Sequence, residues 1–220
     1  MTAIANSFIV MHPQLSLKQR KEWVEILVDF ETRNQYAVRG SRGEEVGTLA
    51  EQGGGFGRVL ARWFLRSHRP FDAALCDRTG AVVLRLSRSF FFLFSDLDVS
   101  DAQAVKIGSV HRRFGILYRK YDLRDALGRT FARVRGPVWR IWTFFVKAED
   151  GREATIGTRW GGVLREVFAD ADTFGIDFSL ASWAPEERAV IFCAAVSIDF
   201  DFFENNQGVG GLFGMSNIFD

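Results

Sequence analysis

Pro185-Glu-Glu-Arg-Ala-Val-Ile-Phe-Cys-Ala-Ala-Val-Ser-Ile-Asp-Phe-Asp-Phe-Phe-Glu204 is the stretch on which the fold turns. Pro185 suits the first turn of a helix, and Glu186 and Glu187 complement the positive end of its dipole. From Ala189 to Val196 every position is apolar, so a helix here has no face to give to water. It must be buried in protein or in lipid. Twenty helical residues reach about 30 Å, close to a hydrocarbon core. The charge-free part, Ala189 to Ile198, covers only about 15 Å, and Asp199, Asp201 and Glu204 follow at once. No Lys or Arg cluster follows to anchor a span. An apolar run of this length reads as a core helix.

What surrounds it reads as strands. Val24, Ile26, Val28 and Phe30 alternate along Trp23 to Phe30, the period of a half-buried strand. A strand, a polar turn with Gly and a second strand then recur around Gly43, Gly80, Gly128 and Gly151. They join Tyr36–Val38 to Val46–Leu49, Phe71–Cys76 to Ala81–Leu86, Tyr118–Leu123 to Arg129–Val134, and Trp139–Lys147 to Glu153–Arg159. Glycine takes a positive φ without strain, and the Asp of Asp77-Arg-Thr-Gly80 bonds its own backbone. Gly57 to Arg66 reads as one short surface helix. Hairpins without intervening helices imply a mainly β chain, an antiparallel sandwich or barrel. If that sheet closes on itself and the helix threads it, no edge is left unpaired and the wide interior is filled. The expected fold is a closed antiparallel barrel around a buried C-terminal α-helix.

Composition sets bounds on function. The 220 residues suffice for one sizeable core, and a formal net charge of +1 argues against a generally basic nucleic-acid binder. The 22 Phe and 6 Trp promise a thick apolar interior or some apolar surface. Cys76 and Cys193 lie far apart in apolar stretches, which suits a reducing compartment better than a disulfide. Ala3 to Val10 lacks the basic n-region of a secretory leader, so a cytoplasmic protein is expected. His12, His68 and His111 have no metal-site spacing, and no Gly-x-Ser-x-Gly elbow occurs. The expectation is a protein that is not an enzyme.

The C-terminal third carries a constellation: Trp160, Arg165-Glu166, Asp170-Ala-Asp172, Phe174-Gly-Ile-Asp-Phe178, and Ile198-Asp-Phe200 leading to Phe203-Glu204. In that order it resembles the phospholipid scramblase family. Phe30-Glu-Thr-Arg-Asn34, Tyr36-x-Val38, Pro70-Phe71 and the Gly80 hairpin agree more loosely. The resemblance implies a barrel of about twelve strands, shared with tubby-like proteins, wrapped around a C-terminal helix. It divides the chain into a lead-in over 1–14, a barrel domain over 15–204 with its helix at about 185–204, and a flexible Gly-rich tail over 205–220. It also implies ATP-independent, bidirectional movement of phospholipid between leaflets, at the cytoplasmic face of a membrane, with calcium as the regulator. The alternatives are a membrane-associated lipid-binding or scaffold module that moves no lipid, and a soluble interaction protein that inherited the fold. Protein partners are unassigned. Animal members carry a Pro-rich N-terminal region, an acylated cysteine cluster and a Lys-rich segment before the Trp. Here Ser89-Phe-Phe-Phe-Leu-Phe94 stands at the cysteines, and Ala154 to Arg159 holds one basic residue.

Four groups of candidate residues follow. Asp170 and Asp172 open the loop implied to hold calcium, but counted from Asp170 its fifth and twelfth positions are Phe174 and Ala181, so two carboxylates fall short of the usual ligand count. Phe90, Phe91, Phe92 and Phe94 are either a buried strand or a membrane-contacting loop beside a charged loop at Asp96, Asp98 and Asp101. Arg88, Arg112, Arg113, Arg119 and Lys120, with Arg58, Arg62, Arg66, Arg69 and Arg85, either converge on phosphate headgroups or decorate a solvated sheet exterior. Asp199 and Asp201, polar residues on an otherwise buried helix, either cap a barrel mouth in water or pair with arginine.

Overall fold

The computed structural model describes residues 3–19, 35–51, 71–89, 96–140, 143–157 and 173–202. Among these, twelve strands form one closed antiparallel barrel. They are β1 (Gln14–Gln19), β2 (Gln35–Arg39), β3 (Glu45–Glu51), β4 (Phe71–Asp77), β5 (Val82–Arg88) and β6 (Asp96–Asp101). The second half comprises β7 (Lys106–Arg113), β8 (Tyr118–Asp125), β9 (Thr130–Pro137), β10 (Thr143–Ala148), β11 (Glu153–Gly157) and β12 (Thr173–Asp177). Each strand pairs with its sequence neighbour, and β1 closes the ring on β12 through Leu15 opposite Ile176 and Leu17 opposite Phe174. Strands Trp23–Phe30 and the helix Gly57–Arg66 of the sequence reading lie outside the described residues.

Alternation explains the core. Leu84 and Leu86 of β5, Leu97 and Val99 of β6, Ala132 and Val134 of β9, and Phe144 and Val146 of β10 all face inward and are buried. They meet the helix Pro185–Phe202, on which Ala189 to Val196 and Ile198 are at most 2% exposed. Consecutive buried positions cover every helical face, so the helix lies within the barrel. It comes against strand backbone at Gly108, where a Cβ would sit 2.6 Å from Val190. Each fully buried Val, Ile or Phe on that helix contributes about 1.5–3 kcal/mol.

The hairpins share one design. Gly43, Gly80, Gly128 and Gly151, the four turn glycines of the sequence reading, have φ between 79° and 88°. In the turn at Asp77, Gly80 N donates to Asp77 O and Asp77 N to Ala81 O, the three-residue loop ending in a left-handed residue. Asp101 to Val105 is a fifth copy with Ala104 at φ 64°, and its lack of Gly hid it from the sequence reading. The segment from Asp96 to Asp101, expected as a charged loop, is strand β6: Leu97 and Val99 alternate inward while Asp96 and Asp98 stay exposed. The strand expected from Trp139 begins only at Thr143. Pro137, which has no N–H to give a ladder, starts a turn closed by Arg140 N on Pro137 O, and Trp139 is exposed in it.

Candidate functional site

All five tight turns, the start of β1 and the start of the helix lie at one end of the barrel, as the strand register requires. There the N-terminal residues pack against the helix, with Ile4 and Ile9 wholly buried. Arg188 fastens them: its Nε donates to Ile9 O at 2.9 Å, its Nη2 donates to His12 O, and its guanidinium lies 4.2 Å from the centre of the Phe178 ring. Glu187 accepts from Ala184 N at 2.9 Å, the capping-box bond, and takes both nitrogens of Arg152 at 2.5 and 2.9 Å.

The opposite end receives the helix C-terminus, whose last turn carries no base of its own to balance the dipole. The barrel supplies it. Arg88 follows Leu84 and Leu86 on the inward side of β5, and its Nη1 donates to Asp201 Oδ1 at 3.2 Å. Tyr121 OH donates to Oδ2 at 3.1 Å, and Arg112 stands 3.6 Å from the same oxygen. Side-chain exposure rises from 1% at Asp201 and 4% at Arg88 to 34% at Arg112, so the cluster grades from dry to wet. Burial first, and the Asp201 charge second, push the Tyr121 hydroxyl well above its ordinary pKa, which keeps it a donor. Arg119 also faces inward, 4.4 Å from the centre of the Phe144 ring, and burial lowers its pKa. Asp201 therefore pairs with arginine, and Asp199 is half-buried. Three of the arginines read as exterior candidates, Arg88, Arg112 and Arg119, turn into the barrel mouth. Tyr121 was missed, although its alternation with Leu123 put it on the inward face.

Outside, a groove of about 550 Å³ runs along β8 to β10. Arg135 and Phe145 face each other across its floor, as do Arg133 and Lys147, with Tyr118 at one end and Glu149 at the other. Within it Arg133 pairs with Glu149 at 3.3 Å and Lys147 with Glu153 at 3.1 Å.

Phe90, Phe91, Phe92 and Phe94, with Asp170 and Asp172, lie outside the described residues, as do Arg58, Arg62, Arg66 and Arg69. The described part of the implied calcium loop, residues 173–181, holds one carboxylate, Asp177. Asp177 accepts from Ser179 N at 2.8 Å and from Gln14 Nε2 at 3.1 Å, so both carboxylate oxygens are engaged. Among the described residues no three His, Cys, Asp or Glu side chains could hold an ion together, and no helix is long and apolar enough to cross a membrane.

Comparison with known proteins extends the resemblance. A phospholipid scramblase family protein of Schizosaccharomyces pombe is 27% identical over 88% of this chain and 60% of its own length. Bos taurus phospholipid scramblase 2 is 27% identical over 91% of this chain and 72% of its own, and Homo sapiens phospholipid scramblase 1 is 28% identical over 87% and 63%. The chain thus spans about three-fifths of the fission-yeast and human relatives. No solved structure matches it. The family model for scramblases matches residues 2–205, nearly the whole barrel with its helix, and the chain belongs to the scramblase family.

Proposed function

We propose that this protein moves phospholipids between the leaflets of a membrane, in both directions and without ATP, from the cytoplasmic face. The observation that carries the reading is the match of the scramblase family over residues 2–205. The buried Asp201 clamp and the basic, aromatic outer groove are compatible with handling amphiphilic anions at a barrel wall. Phe90, Phe91, Phe92 and Phe94 join this reading as membrane contacts, taking the anchoring role of an acyl chain. Calcium enters it at Asp170 and Asp172 with an affinity on the order of 10⁻⁴ to 10⁻³ M, because two carboxylates make a poorly charged site.

A second reading has its own support. The helix is buried on every face inside the barrel, which favours a lipid-binding module that docks without moving lipid. Reconstitution of the purified chain into vesicles with fluorescent phospholipid, followed by a membrane-impermeant quencher, separates the two. Loss of signal beyond the outer-leaflet half, without ATP, is expected for a scramblase; loss that stops at half leaves the binding module. Titration calorimetry of wild type and Asp170→Asn/Asp172→Asn then tests calcium: micromolar affinity, or binding unchanged by the substitutions, rejects that assignment.

A further inference from the structure

At the end of the barrel away from the tight turns, two loops stand together. β7 and β8 are joined by Phe114 to Leu117, and β9 leads into the turn Val138 to Arg140. Exposures are 72% for Phe114, 79% for Ile116, 60% for Leu117, 44% for Val138 and 63% for Trp139. Five large apolar side chains in water are costly unless something covers them.

They are held in place. Val138 N donates to Leu117 O at 3.2 Å, tying one loop to the other. The Tyr118 and Trp139 rings meet edge to face with centroids 5.4 Å apart. Arg119 Nη2 donates to the carbonyls of Pro137 and Arg140 at 3.2 and 3.1 Å, bracing the second loop from the first. Gly115 permits the close turn, since a Cβ there would run into the Tyr118 carbonyl. The result is one ordered tip.

Bases outnumber acids around it among the described residues, with Arg112 paired to Asp201 and Arg113 to Asp122. Arg112-Arg-Phe-Gly-Ile-Leu-Tyr-Arg-Lys120 carries four bases and no acid, and Arg135-Gly-Pro-Val-Trp-Arg140 carries two bases and no acid. Lys120, Arg135 and Arg140 are exposed and make no ion pair among the described residues. Apolar side chains at the point, with an aromatic ring and a collar of bases behind them, match the layers of a bilayer surface: acyl chains, interface, anionic headgroups.

We infer that this tip, Phe114 to Leu117 with Val138 to Arg140, inserts into the interface of a bilayer containing anionic phospholipid. It sets the barrel end-on, with its tight-turn end away from the membrane. The inference rests on the proposed membrane function but names a contact surface separate from the Phe90 to Phe94 segment.

Flotation of the full-length chain with vesicles of phosphatidylcholine alone, and of phosphatidylcholine with phosphatidylserine, tests it. Three variants are compared: Phe114→Ser/Ile116→Ser/Leu117→Ser at the tip, Lys120→Gln/Arg135→Gln in the collar, and Val105→Ser/Leu127→Ser at the opposite end. All substituted apolar residues are exposed, so melting temperatures should stay near wild type. The expected outcome is wild-type binding to the anionic vesicles that weakens with salt. The tip variant should lose about tenfold or more in partition, the collar variant should lose binding to anionic vesicles only, and the opposite-end variant should lose nothing. Equal losses from both ends, unchanged binding of the tip variant, or no wild-type binding overturns the inference. So does a wild-type dimer in solution that the tip variant abolishes, since the tip would then be covered by a second copy. Lipid movement is read separately: binding through the tip with no movement of fluorescent lipid rejects scrambling and leaves the docking surface standing.

Discussion

Five three-residue turns close one end of the barrel, and the apolar side chains exposed on them, Val105 and Leu127, stand singly among the turn carboxylates Asp101 and Asp125. At the other end Phe114, Ile116, Leu117, Val138 and Trp139 share one hydrogen-bonded tip among bases. Exposure of the separate side chains differs little between the ends. Contiguity differs, and so does the charge alongside: ion-paired carboxylates at the turns, and the exposed bases Lys120, Arg135 and Arg140 at the tip. The acidic end is also self-satisfied: Asp77, Asp101 and Asp125 each accept two backbone N–H bonds, which leaves those carboxylates committed to turn geometry.

The helix joins the two ends, so its middle offers the hardest test. Ala194 is wholly buried, and Ala194→Arg should unfold the chain, because an unpaired charge in the core costs several kcal/mol against a stability of about 5–15. Circular dichroism that keeps the wild-type melting curve would mean the helix leaves the barrel. Next in size is the loop-end clamp. Asp201→Ala strips Arg88 and Tyr121 of a buried shared acceptor and should cost about 3 kcal/mol in urea unfolding, with part regained in Arg88→Met/Asp201→Ala. A loss below the effect of an exposed substitution would make the two ends equivalent in their hold on the helix.

Alkali probes the same interior without mutation. Burial pushes the Cys193 thiol far above its ordinary pKa, so the unfolded chain gives up that proton from about pH 9 while the folded chain keeps it. The folded state then binds more protons, and stability falls as pH rises, by about 1.4 kcal/mol per pH unit. Tyr121 adds a similar slope from about pH 10. Below about pH 8 neither contributes a slope. Cys193→Ala should flatten the decline between about pH 9 and 10 in denaturant titrations, and an unchanged slope would mean the thiol is reached by water. The smallest effect belongs to the turn end. Ala104→Gly removes a left-handed strain and should stabilise by about 0.5–1 kcal/mol, whereas Gly80→Ala, with open space around it, should lose about 1 kcal/mol. If both changes lower the melting temperature, the fifth turn is not a copy of the others.

Much of the wall was readable because its signals are local. Gly80 and Gly128 mark their hairpins by the same chemistry that makes them turn, and the Ala189 to Val196 run states its burial outright. The fifth hairpin escaped because Ala104 takes the left-handed position that glycine holds in the other four turns. Strand β6 was obscured by Asp96 and Asp98, whose outward charges masked the alternation of Leu97 and Val99. Of the candidate site residues, Asp201 pairs with Arg88 and Arg112, but nothing local distinguishes these as its partners from Arg113, which pairs with Asp122 outside.

Antiparallel hairpins and a helix that cannot face water were legible from local signals, because period-2 alternation, left-handed glycines and an all-round apolar run are properties of neighbouring residues. Tertiary pairing was needed to bring the apolar side chains of two loops together at one end, among the described residues, and the turn carboxylates to the other. That depends on strand register: residues 21 positions apart, such as Leu117 and Val138, become one surface only when β8 and β9 pair with Tyr118 opposite Pro137. It likewise decided the fate of Asp201, whose partners come from β5, β7 and β8, since a buried charge is stable only where distant strands bring its counter-ions to it.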